Sequence, residues 1–148
     1  MSGLHALDAY LAGLLAKLDA PQRRLLARAI AVELRRRQAA RIAAQCNPDG
    51  SAYVPRKPQL RHKRGSIRRA MFLRLRMARY LKAQADPNTA VVTFAGTAQR
   101  IATVHHLGLR DRVNKNGLTA KYPVRELLGL SDGDIERILE LVLTAVTH

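Results

Sequence analysis

Two adjacent histidines, His105 and His106, are the residues best suited to metal or acid–base chemistry in a sequence that has five histidines. Ile101, Val104 and Leu107 recur every three residues and Gly108 follows, so the pair is predicted to lie at the end of a short helix. Adjacent helical residues point about 100° apart and do not converge on one ion. Two ligands on a helix need a spacing of three or four residues, which neither histidine has. We therefore expect one histidine to pack or hydrogen-bond at the helix end and the other to be exposed.

Other catalytic patterns are absent from the sequence. There is no G-x-S-x-G elbow, no glycine loop for phosphate and no cluster of paired carboxylates. The "DGD" at 132–134 lacks the ligand spacing of a calcium loop and is better explained by helix capping. Cys46 is the single cysteine, which excludes an internal disulfide and a cysteine-rich zinc site. The sequence thus predicts no catalytic residue, no metal and no cofactor. A metal-dependent enzyme that uses His105, His106 and the C-terminal acids is the weakest of three readings.

Positive charge is concentrated in one part of the chain. The net charge is +15, and residues 22–82 contain 18 Lys and Arg against two acids, a local balance of +16. The rest of the chain has 8 basic and 9 acidic residues and is close to neutral. Such a field favours a polyanion or an acidic protein surface as partner. The few aromatic residues and the lack of a known DNA-reading motif argue against sequence-specific recognition.

Helices are predicted at the start of the chain. Leu4, Leu7, Leu11, Leu14 and Leu18 place a leucine stripe on a first helix. Asp19 is predicted to cap a second helix, with Pro21 in its first turn. Apolar positions of the second helix follow at spacings of four, together with one glutamine: Leu26, Ile30, Leu34, Gln38 and Ile42. The N-terminal residues do not resemble a signal peptide, and no uncharged run is long enough to span a membrane.

The remaining elements follow from turn residues and periodicity. Residues 47–65 are predicted to form an extended basic loop opened by the turn signal "NPDG". A third helix is predicted at 66–83, a strand at 89–96 and an Asn-Gly hairpin within 112–129. Ser131 with Asp134 resembles a capping box at the start of a terminal helix.

These elements predict one α+β domain over residues 1–148. It has N-terminal helices, a small and mainly antiparallel sheet, a C-terminal helix and a long basic loop. We divide it into a helical part at 1–46, the basic loop at 47–65 and a helix–sheet–helix part at 66–148.

Four segments together resemble the phage virion morphogenesis family, the tail completion proteins of contractile-tailed phages and prophages. They are "NPDGSAYVPRK" at 47–57, "MFLRLRMARYLK" at 71–82, "RIATVHHLGLRD" at 100–111 and "YPVRELLGLSDGDIERI" at 122–138. The element P-x-R-E-L-L-G-L-S is the most specific of them. The resemblance extends in order over nearly the whole chain.

The resemblance implies a structural virion protein of the head–tail junction, or neck, that is needed for tail completion and head–tail joining. It implies no catalytic residue, and it makes one set of residues a packing or interface motif: His105, Gly108, Pro123, Arg125, Glu126, Leu127, Leu128 and Gly129. Expected partners are other phage tail and neck proteins, further copies in a ring, with a hexamer taken from the usual symmetry of tails, and the DNA backbone in the channel. The expected location is the virion, after assembly in the host cytoplasm, with no membrane contact.

The charged segment has its own predicted role. Contacts with a partner or with nucleic acid are assigned to the cations of the basic loop and the start of the third helix: Arg56, Lys57, Arg61, Lys63, Arg64, Arg68 and Arg69. A non-specific nucleic-acid-binding protein is therefore the alternative function. Binding to defined tail or neck proteins would distinguish the first function from the second.

Overall fold

The computed structural model describes residues 12–56, 70–112 and 117–147. The predicted leucine stripe lies partly outside these residues, since Leu4, Leu7 and Leu11 are not among them. Residues 12–15 are helical, and the amide of Ala16 donates to the carbonyl of Ala12 at 3.0 Å. Predictions for residues 57–69 and for the hairpin turn at 113–116 also lie outside the described residues.

Helix α1, Ala20–Ala43, begins at the residue that the sequence predicted. The amide of Gln22 donates to Asp19 Oδ1 at 2.8 Å, and the amide of Asp19 donates to Gln22 Oε1 at 3.0 Å. This reciprocal pair is a capping box with aspartate and glutamine, which satisfies an amide at the helix start that has no partner within the helix. Pro21 lies in the first turn, where its missing N–H costs nothing. The predicted second helix is confirmed.

The third helix predicted at 66–83 is wrong for the residues that the structure describes. Residues 70–80 form consecutive turns, and strand β1 occupies Leu81–Ala85. Phe72 has a φ of 66°, a left-handed conformation that cannot continue a helix. The side chain of Gln45 also captures the backbone of Met71: Oε1 accepts from its amide at 2.7 Å and Nε2 donates to its carbonyl at 2.8 Å. Tertiary hydrogen bonds thus override the helical periodicity.

Strand β2, Ala90–Phe94, confirms the predicted strand and pairs with β1. The amide of Asp86 donates to the carbonyl of Thr89 at 3.0 Å, and the amide of Ala95 donates to that of Tyr80 at 2.8 Å, so the two strands run antiparallel. The carboxylate of Asp86 accepts from the amides of Asn88 and Thr89, each at 2.7 Å, and so closes the turn between the strands.

Helix α2, Thr97–Leu107, ends at Gly108 in the left-handed conformation, as the sequence predicted. Strands β3, Arg110–Arg112, and β4, Thr119–Lys121, form a second antiparallel pair. Helix α3, Asp132–Thr147, is the predicted terminal helix. The fold is therefore α+β as expected, and its described residues form two separate two-stranded sheets. Among the described residues, no helix is both long and apolar enough to cross a membrane.

The chain divides into two compact units. The first comprises residues 1–36, 83–92 and 132–148, and the second comprises residues 37–82 and 93–131. In the first unit, Leu18, Leu26 and Val142 form a buried cluster that Ile30 and Ile138 help to cover. Glu33 accepts hydrogen bonds from Arg36 at 2.7 Å and from Arg137 at 3.3 Å, and these contacts lower the pKa of its carboxyl group.

The second unit has its own core and contains the described residues for which a partner contact or a packing role was predicted. Its most buried side chains are Ile42, Leu81 and Leu127. Two polar residues, Gln38 and Arg125, are buried in it as well. Burying a polar group costs free energy unless the group is hydrogen-bonded. These two side chains are therefore expected to form hydrogen bonds inside the unit.

Candidate interaction site

The segment 122–131, which contains the predicted packing motif, is held mainly through its backbone. Gln38, on α1, donates from Nε2 to the carbonyl of Gly129 at 2.9 Å and accepts from the Gly129 amide at 3.2 Å. Arg41, one turn later, donates to the carbonyls of Gly129 and Leu127, each at 3.2 Å, and to Gln38 Oε1. These two side chains therefore fix both ends of the "LLG" sequence.

The turn at residues 47–53 holds the same segment from a second direction. Asn47 Oδ1 accepts from the amide of Glu126 at 2.9 Å, and the hydroxyl of Tyr53 donates to its carbonyl at 3.0 Å. Burial raises the pKa of Tyr53 to about 12, so the phenol remains a donor at any physiological pH. Glu126 thus contributes its main chain to these contacts, a role that its charge does not indicate in the sequence.

Two glycines of the predicted motif lie where a side chain would collide with a neighbour. A Cβ at Gly129 would lie 2.5 Å from Pro48 Cγ, which allows Pro48 to pack on the backbone. Gly108 has a φ of 65°, and a Cβ there would lie 2.9 Å from Val124 Cγ2. Both glycines therefore permit close approach of two backbone segments.

Arg125 is the buried centre of this region, with only 4% of its surface exposed. Its Nε donates to the carbonyl of Val54 at 2.8 Å and Nη2 donates to that of Pro55 at 3.3 Å. Nη1 lies 3.2 Å from Nδ1 of His105. Burial is the main cause that lowers the pKa of the guanidinium, and the nearby charge of Arg56 is the second. The group nevertheless remains a cation, because the ordinary pKa of arginine is far above neutral.

His105 is packed among aromatic rings. Its imidazole centre lies 4.7 Å from that of Phe72 and 4.5 Å from that of Tyr122. Burial, then the charges of Arg125 and Arg56, lower the pKa of His105 to about 4. Arginine has only donors, so Nδ1 of the neutral ring is the acceptor and the ring proton is on Nε2. His105 is therefore a packed, hydrogen-bonded histidine.

His106 faces different surroundings. It lines a shallow cleft with Thr93, Phe94 and Leu128, whereas His105 lines a cleft with Phe72 and Arg125. The two imidazoles therefore do not converge on one position, in agreement with the helical geometry predicted from the sequence. In the described part of the chain, no group of three or more His, Cys, Asp or Glu side chains is arranged to hold a metal.

We expect the free energy of unfolding to fall as the pH is lowered from 6.5 to about 4. The unfolded chain protonates His105 near 6.5 and the folded chain only near 4, so the unfolded state binds more protons throughout this window. The loss by pH 4 is on the order of 1–3 kcal/mol. Urea unfolding at a series of pH values measures it. His105→Gln should flatten this part of the profile relative to the parent. Equal profiles for the variant and the parent would contradict the assignment.

A basic cleft of about 760 Å³ lies beside Arg125. We use this name for the space lined by Arg56, Lys121 and Arg125, by the rings of Phe72, His105 and Tyr122, and by Val54, Pro55, Met71, Ala120 and Pro123. Arg56 and Lys121 are exposed at its rim. Of the seven cations predicted to contact a partner, Arg56 alone is among the described residues, and it belongs to this cleft.

The predicted motif residues are therefore brought together, with different roles. His105 and Arg125 hydrogen-bond each other, Pro123 lines the basic cleft, and Leu127 is buried. Sequence reasoning missed Gln38, Arg41, Asn47, Lys121 and Phe72. A glutamine on an otherwise apolar helical stripe is a signal that identifies Gln38, because such a residue needs a buried hydrogen-bond partner.

Comparison with known proteins gives the class to which this fold and site belong. The sequence matches the model of the phage virion morphogenesis family over residues 3–147, and the chain belongs to this family. A relative is the tail completion protein S of Escherichia phage P2, which is 39% identical over 135 residues, covering 90% of this chain and 90% of the relative. No solved structure is a significant match for the chain. The family predicted from the four segments is confirmed.

Proposed function

We propose that this protein is a structural component of the phage head–tail junction that completes the tail so that it can join a head. The observation that supports the proposal is the 39% identity to the P2 tail completion protein, which extends over 90% of both chains. Tail completion is the role that the name of that relative states. We add the joining of tail and head at the neck to this role on the basis of the family resemblance.

The chemistry of the motif supports a structural role without catalysis. Arg125 and His105 are engaged with each other, with carbonyl groups and with aromatic rings. Gln38, Arg41 and Asn47 are engaged with the backbone of the segment 122–131. Side chains used in this way position main chain and do not act on a substrate.

In the proposed assembly, copies of the protein form a closed ring around the tail axis with other tail and neck proteins. Identical subunits that contact each other through two different surfaces close into a ring when the rotation from one subunit to the next permits it. We take sixfold symmetry from the symmetry usual for tails. Assembly takes place in the host cytoplasm and the finished protein belongs to the virion.

The cations of the basic loop and of the residues just after it are proposed to contact a partner at the junction. They are Arg56, Lys57, Arg61, Lys63, Arg64, Arg68 and Arg69, and they would bind an acidic subunit face or the phosphates of DNA in the channel. Such contacts act through charge and give salt-dependent binding with little sequence preference. The local balance of +16 over residues 22–82 supports this part of the proposal.

Deleting the gene should leave DNA-filled heads and nearly complete tails that do not join. Tail completion comes late, so neither head filling nor early tail assembly requires the protein. Electron microscopy of lysates counts free heads, free tails and joined particles, with the parental gene supplied in trans as control. Normal numbers of infectious particles from the deletion strain would defeat the proposal.

Complementation with variants then tests the basic loop. Arg61, Lys63 and Arg64 replaced together by serine should restore fewer joined particles than the parent. A matched triple variant replaces Lys17, Arg24 and Arg28, which are exposed outside this loop. It removes the same charge and should restore joining. If both triple variants complement equally, the loop has no special contact.

A further inference from the structure

We infer that the basic cleft is a docking site for an extended, acidic segment of a partner protein. The inference deepens the proposed function and rests on it for one point, that the partner is another virion protein. The shape of the cleft, its charge and its apolar lining support it separately.

The shape of the cleft fits an extended chain. Ala120, Lys121 and Tyr122 are consecutive, and all three line it. Side chains of a strand alternate between its two faces, so a lining of consecutive residues indicates that the cleft follows the edge of β4. Within the described residues the sheet has two strands, and β4 is an edge strand in it. Extended peptides commonly bind proteins by adding to such an edge.

A second stretch of the lining lies outside any helix or strand. Val54, Pro55 and Arg56 are consecutive lining residues, and Arg125 fixes this stretch by donating to the carbonyls of Val54 and Pro55. The cleft is therefore lined by two stretches of consecutive residues, one of them held by a buried side chain. At about 760 Å³ it is within the range of volumes of pockets that bind ligands.

The charge of the cleft favours an acidic occupant. Arg56, Lys121 and Arg125 are cations, and no aspartate or glutamate is among the described residues that line it. The acceptors of Arg125 are two carbonyls and a neutral imidazole, so none of these contacts supplies a counter-ion. A buried cation attracts a carboxylate more strongly than an exposed one does, because the local dielectric is lower.

The lining favours a peptide over nucleic acid. Phe72, Met71 and Tyr122 provide apolar and aromatic surface for side chains next to a carboxylate. A DNA duplex is a convex rod that binds cations on an exposed surface, whereas Arg125 lies inside a cleft that a single extended chain can enter. Residues 57–69, which follow Arg56 in the sequence, contain no acidic residue and so do not supply the carboxylate. The segment assigned to the cleft belongs to another virion protein, which is the point that rests on the proposed function.

The test uses the full-length purified chain and two fluorescein-labelled peptides. One alternates glutamate with leucine and phenylalanine, and the other has glutamine in place of each glutamate. Fluorescence anisotropy should show binding of the acidic peptide and binding at least about tenfold weaker of its amide counterpart. Replacing both rim cations, Arg56→Ser and Lys121→Ser, should weaken binding of the acidic peptide by a similar factor. These side chains are exposed, so the fold is retained.

The matched control is the double variant Arg24→Ser and Arg28→Ser, which removes the same charge from the exposed side of α1. It should change the affinity by less than about twofold at physiological salt, because these cations lie outside the cleft lining and distant exposed charges are screened. Equal weakening by the two double variants would overturn the inference, as would equal affinity for the two peptides. Displacement of the acidic peptide by a lower concentration of single-stranded DNA would overturn it in favour of nucleic acid.

This result is independent of the deletion experiment. Failure of peptide binding together with unjoined tails in the deletion strain removes the cleft assignment and leaves the proposed function intact. Selective peptide binding together with normal infectious particles removes the proposed function and leaves the cleft.

Discussion

Replacing Arg125 by methionine is expected to lower the free energy of unfolding by about 3 kcal/mol. The change leaves the carbonyls of Val54 and Pro55 and the Nδ1 atom of His105 without the donors that they now have. Removing a buried cation recovers some desolvation energy, and methionine fills much of the space. The acceptors nevertheless stay in place, and each of the three lost hydrogen bonds contributes about 0.5–1.5 kcal/mol, so the loss outweighs the gain.

Urea unfolding followed by circular dichroism measures this change. The matched control is Arg100→Met, which removes a guanidinium whose side chain is 70% exposed and which pairs with Asp111 at 2.5 Å. Exposed ion pairs contribute about 0–1 kcal/mol, so the control should stay close to the parent. A loss for Arg125→Met no larger than that for Arg100→Met would mean that the buried hydrogen bonds contribute little.

Leu127→Asp is expected to have a still larger effect, at least about 4 kcal/mol, and to prevent folding if the parent is only marginally stable. Leu127 is 1% exposed, and its backbone carbonyl accepts from Arg41. The substitution removes buried apolar surface and places a carboxyl group in a core, where it must either stay charged without solvation or take up a proton.

Leu130→Asp is the control for this second prediction, because Leu130 is 54% exposed and lies three residues later in the same segment. It should change stability by less than about 0.5 kcal/mol. Leu127→Ala provides a measurable intermediate, with an expected loss of about 2–5 kcal/mol if the aspartate variant does not fold. Thermal melts of all three purified variants decide the matter. Similar melting temperatures for Leu127→Asp and Leu130→Asp would show that Leu127 is not a core residue.

Elements with local signals were predictable from the sequence. Helix α1 has the capping pair Asp19 and Gln22 and its apolar spacing, α2 has Gly108 at its end, and α3 has an amphipathic pattern. Strand β2 is rich in β-branched residues. In each case the residues that determine the element lie within it or next to it, so a reading of neighbouring positions is sufficient.

The segment 70–85 was not predictable in the same way. Its apolar and basic residues have helical spacing, but Gln45, which is distant in sequence, binds both backbone groups of Met71. Phe72 is held at a positive φ, for which its side chain gives no signal. Strand β1 pairs with β2 across the turn that Asp86 closes. The turn-forming residues "DPN" at 86–88 are the local indication of this hairpin in the sequence.

The candidate site was predictable as a set of residues but not as a set of roles. The family resemblance included His105, Arg125 and Gly129, and the structure brings them into one unit. Spacing in the sequence does not reveal that Arg125 bonds the backbone at residues 54 and 55, about seventy positions earlier. Lys121 and Phe72 become neighbours of Arg56 only through the tertiary fold.

The contacts that hold the segment 122–131 have a consequence for how this protein can diverge between phages. Gln38, Arg41, Asn47 and Tyr53 bond main-chain atoms of Glu126, Leu127 and Gly129, and main-chain atoms are the same for almost any residue. Substitutions at the exposed positions Val124 and Leu130 therefore leave these bonds intact. Side chains on this surface can therefore change while the backbone conformation is inherited unchanged.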